Sequence, residues 1–139
     1  MRKFLAILAF CLAMVTVEAA VPAPIQQFVD EYNAELAGQS EDGVSFGKGF
    51  ISGNDIIIPM YMDDAELVAA GFTMKDAIDM TGGEEAFRTM MLQSLLEDQD
   101  AESAEEIANL KRYQYNLLIR MIGSASKSQV NLRIRYQDL

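Results

Sequence analysis

Tyr113-Gln114-Tyr115-Asn116-Leu117-Leu118-Ile119-Arg120-Met121-Ile122, followed after Gly123 to Ser128 by Val130-Asn131-Leu132-Arg133-Ile134-Arg135-Tyr136-Gln137, decides the fold class of this chain. Tyr113, Tyr115, Leu117, Ile119 and Met121 alternate with Gln114, Asn116, Leu118, Arg120 and Ile122, and Val130, Leu132, Ile134 and Tyr136 alternate with Asn131, Arg133, Arg135 and Gln137. A strict period of two is the pattern of a strand with one face buried, so the segment predicts a β-hairpin with a dry face and a largely wet one.

Working back from the hairpin, the middle of the chain is helical and punctuated. Asp63 with Glu66, Thr73 with Asp76 and Thr81 with Glu84 have the spacing of capping boxes and predict three helix starts. The first two helices end near Gly71 and Gly82. The third presents Phe87, Met90, Met91 and Leu95 and runs to about Glu97, and a further acidic helix spans Asp100 to Leu110.

Before these helices, Val44 to Ile51 and Asp55 to Met62 read as two strands joined by the turn Ser52-Gly53-Asn54. Val44, Phe46 and Phe50 would share one face, and Ile56, Ile58, Met60 and Met62 the core face of the return strand. Gly47 and Gly49 fall on the opposite face, where they leave room or cost stability. Pro59 cannot donate to a ladder, which places its strand at an edge or breaks it near its end. At the start, Pro22 and Pro24 precede Ile25, Phe28, Val29, Tyr32 and Leu36 at helical spacing, with Gly38 placed to end the helix. The order α-ββ-α(n)-ββ predicts an α+β domain over residues 21–139, in its simplest form an antiparallel four-stranded sheet with helices on one face.

The first twenty residues read as an address. Arg2 and Lys3 precede the apolar run Phe4 to Val17, and Val17-Glu18-Ala19 has the small-x-small pattern of a signal peptidase site, so residues 1–20 are expected to be a cleaved signal peptide and the protein periplasmic or secreted. Cys11, the one cysteine, falls inside this leader, and the bulky Phe10 before it does not suit a lipidation box. The mature chain then contains no disulfide and no further apolar run long enough to span a bilayer.

The precursor carries a net charge of -10. Residues 21–110 hold Lys48, Lys75 and Arg88 against nineteen acids, whereas residues 111–139 hold Lys111, Arg112, Arg120, Lys127, Arg133 and Arg135 against Asp138 alone. Such an acidic balance argues against nucleic acid and anionic membranes as partners.

Histidine is absent, which removes the common general base, the cysteine nucleophile goes with the leader, and zinc sites lose their usual ligands. The acid pairs Asp63-Asp64, Glu84-Glu85 and Glu105-Glu106 sit near helix starts, where negative charge complements the helix dipole. Asp98-Gln99-Asp100-Ala101-Glu102 opens like a calcium loop but has Ser103 where Gly is needed and Asn109 where a bidentate Glu is needed. Met60 and Met62 have the spacing of a soft copper site but share the core face of their strand. Gly82-Gly83 lacks the strand and lysine of a phosphate loop. No cofactor and no metal site is expected.

The arginines remain. Arg120, Arg133 and Arg135 fall on the polar face of the terminal hairpin beside Leu118 and Ile122, and apolar residues among arginines have the composition of an interface. The expectation is a non-enzymatic exported interaction domain that uses this outer sheet face to bind an acidic protein, or the acidic half of a second copy. The alternatives are a carrier with an apolar pocket between helices and sheet, where Phe46, Phe50, Tyr61 and Phe87 could meet, and a carboxylate-dependent hydrolase.

Overall fold

The computed structural model describes residues 20–97 and 99–139. The expected leader, up to residue 19, and Asp98 of the calcium-like run lie outside the described residues.

The described chain is α+β: helix α1 (Ala23–Glu35), strands β1 (Ser40–Glu41), β2 (Val44–Phe46), β3 (Phe50–Ser52) and β4 (Asp55–Met62), helices α2 (Ala65–Ala69), α3 (Met74–Met80), α4 (Glu84–Glu97) and α5 (Ala101–Tyr113), then strands β5 (Asn116–Gly123) and β6 (Gln129–Ile134) and a closing 3-10 turn at Tyr136–Asp138. Helix α1 starts as its prolines dictate, with Pro22 as N-cap and Pro24 in the first turn. It buries Ile25 and Val29 and leaves Gln26–Asp30 and Gln27–Glu31 side-chain pairs on its wet side. Thr73 and Asp76 form the expected capping box on α3.

The sheet differs from the antiparallel four-stranded expectation in both count and direction. Its six strands run in the order β1-β2-β4-β5-β6, with β3 also on β4, and β4 pairs with β5 in parallel, Ile56 beside Leu117 and Met60 beside Met121. The reason is the connection. Residues between β4 and β5 form four helices, and a crossover of that length returns the chain to the same end of the sheet, so the next strand enters parallel to the one just left. The two hairpins are therefore joined through their inner strands, and β4 is a central strand.

Pro59 is tolerated there because of a bulge. Gly47 N–H donates to Pro59 O at 2.9 Å, so the backbone polar groups of Pro59 face β2 and β3. Phe46 pairs with Met60 and Phe50 with Ile57. Four steps on one strand match three on the other, which leaves one extra residue around Lys48 and Gly49. The missing Pro59 donor is aimed at that interruption. The bulge splits the expected strand 44–51 into β2 and β3, and Ser40 and Glu41, paired with Ser45 and Val44, add the short β1.

Two capping expectations are corrected. Asp64, not Asp63, is the N-cap of α2, and it makes no side-chain cap there because its carboxylate is engaged elsewhere. Thr81 closes α3, its hydroxyl donating to Ile78 O at 2.7 Å, so it does not open α4. Helix α5 also runs past Leu110 to Tyr113 and ends on Gln114 at φ +60°, which moves the strand start to Asn116. Lys111 and Arg112 in its last turn complement the helix dipole and account for this extension.

The core lies between the sheet and the helices, built from Ile25, Val29, Ile56, Ile58, Met74, Ile78, Leu110, Leu117, Ile119, Met121, Val130, Leu132 and Ile134. No helix among the described residues is long and apolar enough to cross a membrane.

Candidate functional site: the outer sheet face

The face of the sheet turned away from the core is set by register. Phe50, Ile57, Leu118 and Arg133 form one row across the strands; Gly47, Pro59, Arg120 and Asn131 the next; Ser45, Tyr61, Ile122 and Gln129 the third. Phe50 reaches this face only through the bulge, since one inserted residue exchanges the two faces of everything beyond it. A Cβ on Gly47 would sit 2.9 Å from the Tyr61 ring, so that glycine lets Tyr61 lie flat across β2.

Helix α1 fixes the bulge from the other side. Asn33 uses its amide as a strand would, accepting from Gly49 N–H at 2.7 Å and donating to Gly49 O at 3.1 Å. Tyr32 OH donates to Gly47 O at 3.0 Å, and burial raises its phenol above the ordinary value. Gly49 is the space Tyr32 needs, because an added Cβ would meet the ring at 2.9 Å.

The candidate residues are distributed as follows. Arg120 lies across the face with its guanidinium carbon 5.9 Å from the centre of the Phe50 ring, a cation-π arrangement, and its Nε is buried with no hydrogen-bond partner among the described residues. Leu118 is buried and Ile122 half-buried beside it. Arg133 stands one row away, but its charge is taken by Asp55 at 3.0 Å, and Asp55 also accepts from Asn116. Arg135 lies beyond the end of β6 and bonds Asp138 at 3.1 Å, which also faces Arg88 at 3.7 Å. The structure thus gathers Arg120, Arg133, Leu118 and Ile122 and sets Arg135 apart at the end of the sheet.

Phe50 and Tyr61, 42% and 43% exposed, are the members of this face that sequence reading assigned to an internal pocket. The signal that could have found them was Gly47-Lys48-Gly49, since glycines inside a strand pattern mark bulges. Phe46 and Phe87 remain on the core side. The four aromatics of the expected carrier pocket therefore do not converge. A groove of about 600 Å³ opens between α1 and β3, where Asp30, Asn33, Lys48 and Asn54 line it together with Val29 and Ile51.

Two acidic features stand apart from this face. Asp64 is buried, its carboxylate accepting from Ala125 N–H at 2.9 Å, Ser126 N–H at 3.3 Å and the Ser126 hydroxyl. The Ser126 hydroxyl heads these hydrogen bonds in holding the Asp64 carboxyl below its ordinary value. It ties the start of α2 to the β5–β6 turn. Between α1 and α5, Glu31, Glu102 and Glu106 bring carboxylate oxygens within 4.8 Å of one another, the one group of described residues with the donors to hold a metal ion. Burial, then Glu102 and Glu31, push the Glu106 carboxyl above its ordinary value. Asp100 of the calcium-like run instead caps α5, accepting from Ser103 N–H at 2.7 Å.

No protein-family model matches this chain, and no curated protein matches it in sequence. Its fold is similar to that of a Pseudomonas aeruginosa protein, provisionally called secreted, known from its crystal structure: the TM-score is 0.57 at 7% identity, over 86% of this chain and 98% of that one. At that identity the likeness is one of fold.

Proposed function

We propose that this chain is an exported, non-enzymatic interaction domain, periplasmic or secreted, that docks a partner protein on its outer sheet face. The observation that carries the reading is the exposed Phe50 stacked under Arg120. Aromatic residues and arginine are the side chains enriched at interface centres, because they bring large area and directional bonds at low entropic cost. Among the described residues no ion pair takes the Arg120 guanidinium, and with its Nε buried its terminal nitrogens are the donors it can offer a partner's carboxylate or carbonyl. Export is supported by the charged, apolar and small-residue regions of residues 1–20 and, at the level of fold, by the provisionally secreted neighbour.

The experiment is crosslinking of the protein in the exterior fraction of its producing cells, with Phe50→Asp and Arg120→Glu as controls. Both positions lie outside the core, so the variants should fold as the parent does while losing the captured partner. Identical capture by parent and variants overturns the reading.

A carboxylate-dependent hydrolase is the second reading, favoured by one observation: a Glu106 carboxyl held above its ordinary value beside Glu102 and Glu31 suits a general acid with a neighbouring carboxylate. Turnover of a glycoside that is abolished by Glu106→Gln would support it, and turnover untouched by that substitution would remove it.

A further inference from the structure

We infer that the chain also pairs with a second copy of itself along the free edge of β6, a contact separate from the outer face. Gly123 N–H donates to Ser128 O at 2.9 Å, and Met121, Ile119 and Leu117 lie opposite Val130, Leu132 and Ile134. Backbone groups alternate sides along a strand, so Ser128, Val130, Leu132 and Ile134 turn theirs toward β5 while Gln129, Asn131 and Arg133 turn theirs outward. β6 pairs with β5 alone, and among the described residues the outward N–H and C=O groups of these three have no hydrogen-bond partner.

Open edges are ordinarily blunted by shortness, charged side chains, proline or a bulge. The opposite edge of this sheet follows that rule, since β1 is only two residues long and carries Glu41. β6 follows it only through Arg133, whose charge Asp55 takes: it runs six residues with no proline, and Val130, Leu132 and Ile134 are its inward side chains. An antiparallel pairing about a two-fold axis at Asn131 puts that residue opposite its own mate and Gln129 opposite Arg133 of the second copy. No like charges then face each other, and every outward backbone group of the three residues is satisfied.

A ladder alone buries too little apolar surface for a stable dimer. The remainder comes from α4, the helix packed on β6. It keeps no residue fully buried, and on the side that lines a groove with Ile134 it carries Leu92 and, one turn on, Leu96, which is 38% exposed. A two-fold axis perpendicular to the sheet leaves both helical layers on one side, so the two copies of α4 come together across the seam and cover this apolar surface.

The test is sedimentation of the purified protein across the micromolar range, with Asn131→Pro and Leu96→Glu. The parent should sediment as a dimer. Asn131→Pro removes an outward N–H and no bond to β5, and loss of that bond in both copies should weaken dimerisation roughly tenfold to a hundredfold. The α4 variant, which leaves the strands untouched, should weaken it as well, whereas Arg120→Glu should leave it unchanged. Amide exchange at Gln129, Asn131 and Arg133 supplies a reading that needs no variant: slow exchange in the concentrated parent supports the pairing. A monomeric parent at every concentration overturns it, as does a dimer that keeps fast exchange at these amides.

Discussion

At the scale of single residues, the tightest constraint is Gly123. A Cβ there would overlap the Asp64 carboxylate and the Ser126 hydroxyl, which sit against the glycine to close the β5–β6 turn. Gly123→Ala should therefore destabilise by about 2 kcal/mol or more through overpacking, read as a lower denaturant midpoint with an unchanged slope. Asp64 itself carries a pH signature. Its folded-state carboxyl is lowered from the ordinary 3.8, so it contributes stability above that value and loses it as pH falls through the depressed folded value. Asp64→Asn should flatten the acid limb of stability against pH, and a limb of unchanged steepness would show that the latch holds no linked proton.

At the scale of elements, the bulge between β2 and β3 turns a short glycine-rich stretch into a functional feature. Asn33 alone pairs with Gly49 on both its donor and its acceptor. Asn33→Ala should cost about 1–3 kcal/mol because it leaves partly buried backbone groups unmet, and Asn33→Asp should recover part of that by keeping the acceptor. Thermal unfolding of the three proteins orders them. The α1–α5 contact makes the opposite prediction. Glu102 and Glu106 are like charges four residues apart with Glu31 facing them, and the raised Glu106 carboxyl means the folded state binds its proton more tightly than the unfolded chain does. Stability from this group therefore rises as pH falls through the region above the ordinary Glu value of 4.5, the reverse of Asp64. At neutral pH, Glu106→Gln should stabilise by about 0.2–0.5 kcal/mol, the magnitude of a like-charge pair at that helical spacing, and the gain should shrink in high salt.

At the scale of the whole molecule, the core is assembled from residues between Ile25 and Ile134, with Val21 and Leu139 packed on its margins. A chain beginning at Ala20 should consequently fold with the cooperativity of the full sequence, and equal midpoints and slopes in denaturant check this. Intact mass of the protein recovered from the exterior of its producing cells tests export directly: loss of about the first twenty residues is the expected outcome, and retention of Met1 to Ala19 refutes cleavage.

What the sequence determined by itself is what depends on neighbours along the chain. The period-two alternation of Leu117, Ile119 and Met121 and of Val130, Leu132 and Ile134 marked both terminal strands and their inward side chains, and Pro22 and the Thr73–Asp76 box marked helix starts. The α+β class followed from that order of elements. Only the tertiary structure decided that β4 and β5 run parallel, since a helical connection carries no local mark of the end of the sheet to which it returns. It also decided which face Phe50 occupies, because one unpaired residue near Lys48 reverses the parity of all that follows. Arg135 left the arginine cluster for a like reason: β6 stops at Ile134, and Asp138, brought near by the closing turn, takes the guanidinium that a longer strand would have held on the outer face. Local pattern fixes the alternation within an unbroken strand; bulges, register and pairing, which are long-range, fix the face each side chain takes and what it meets.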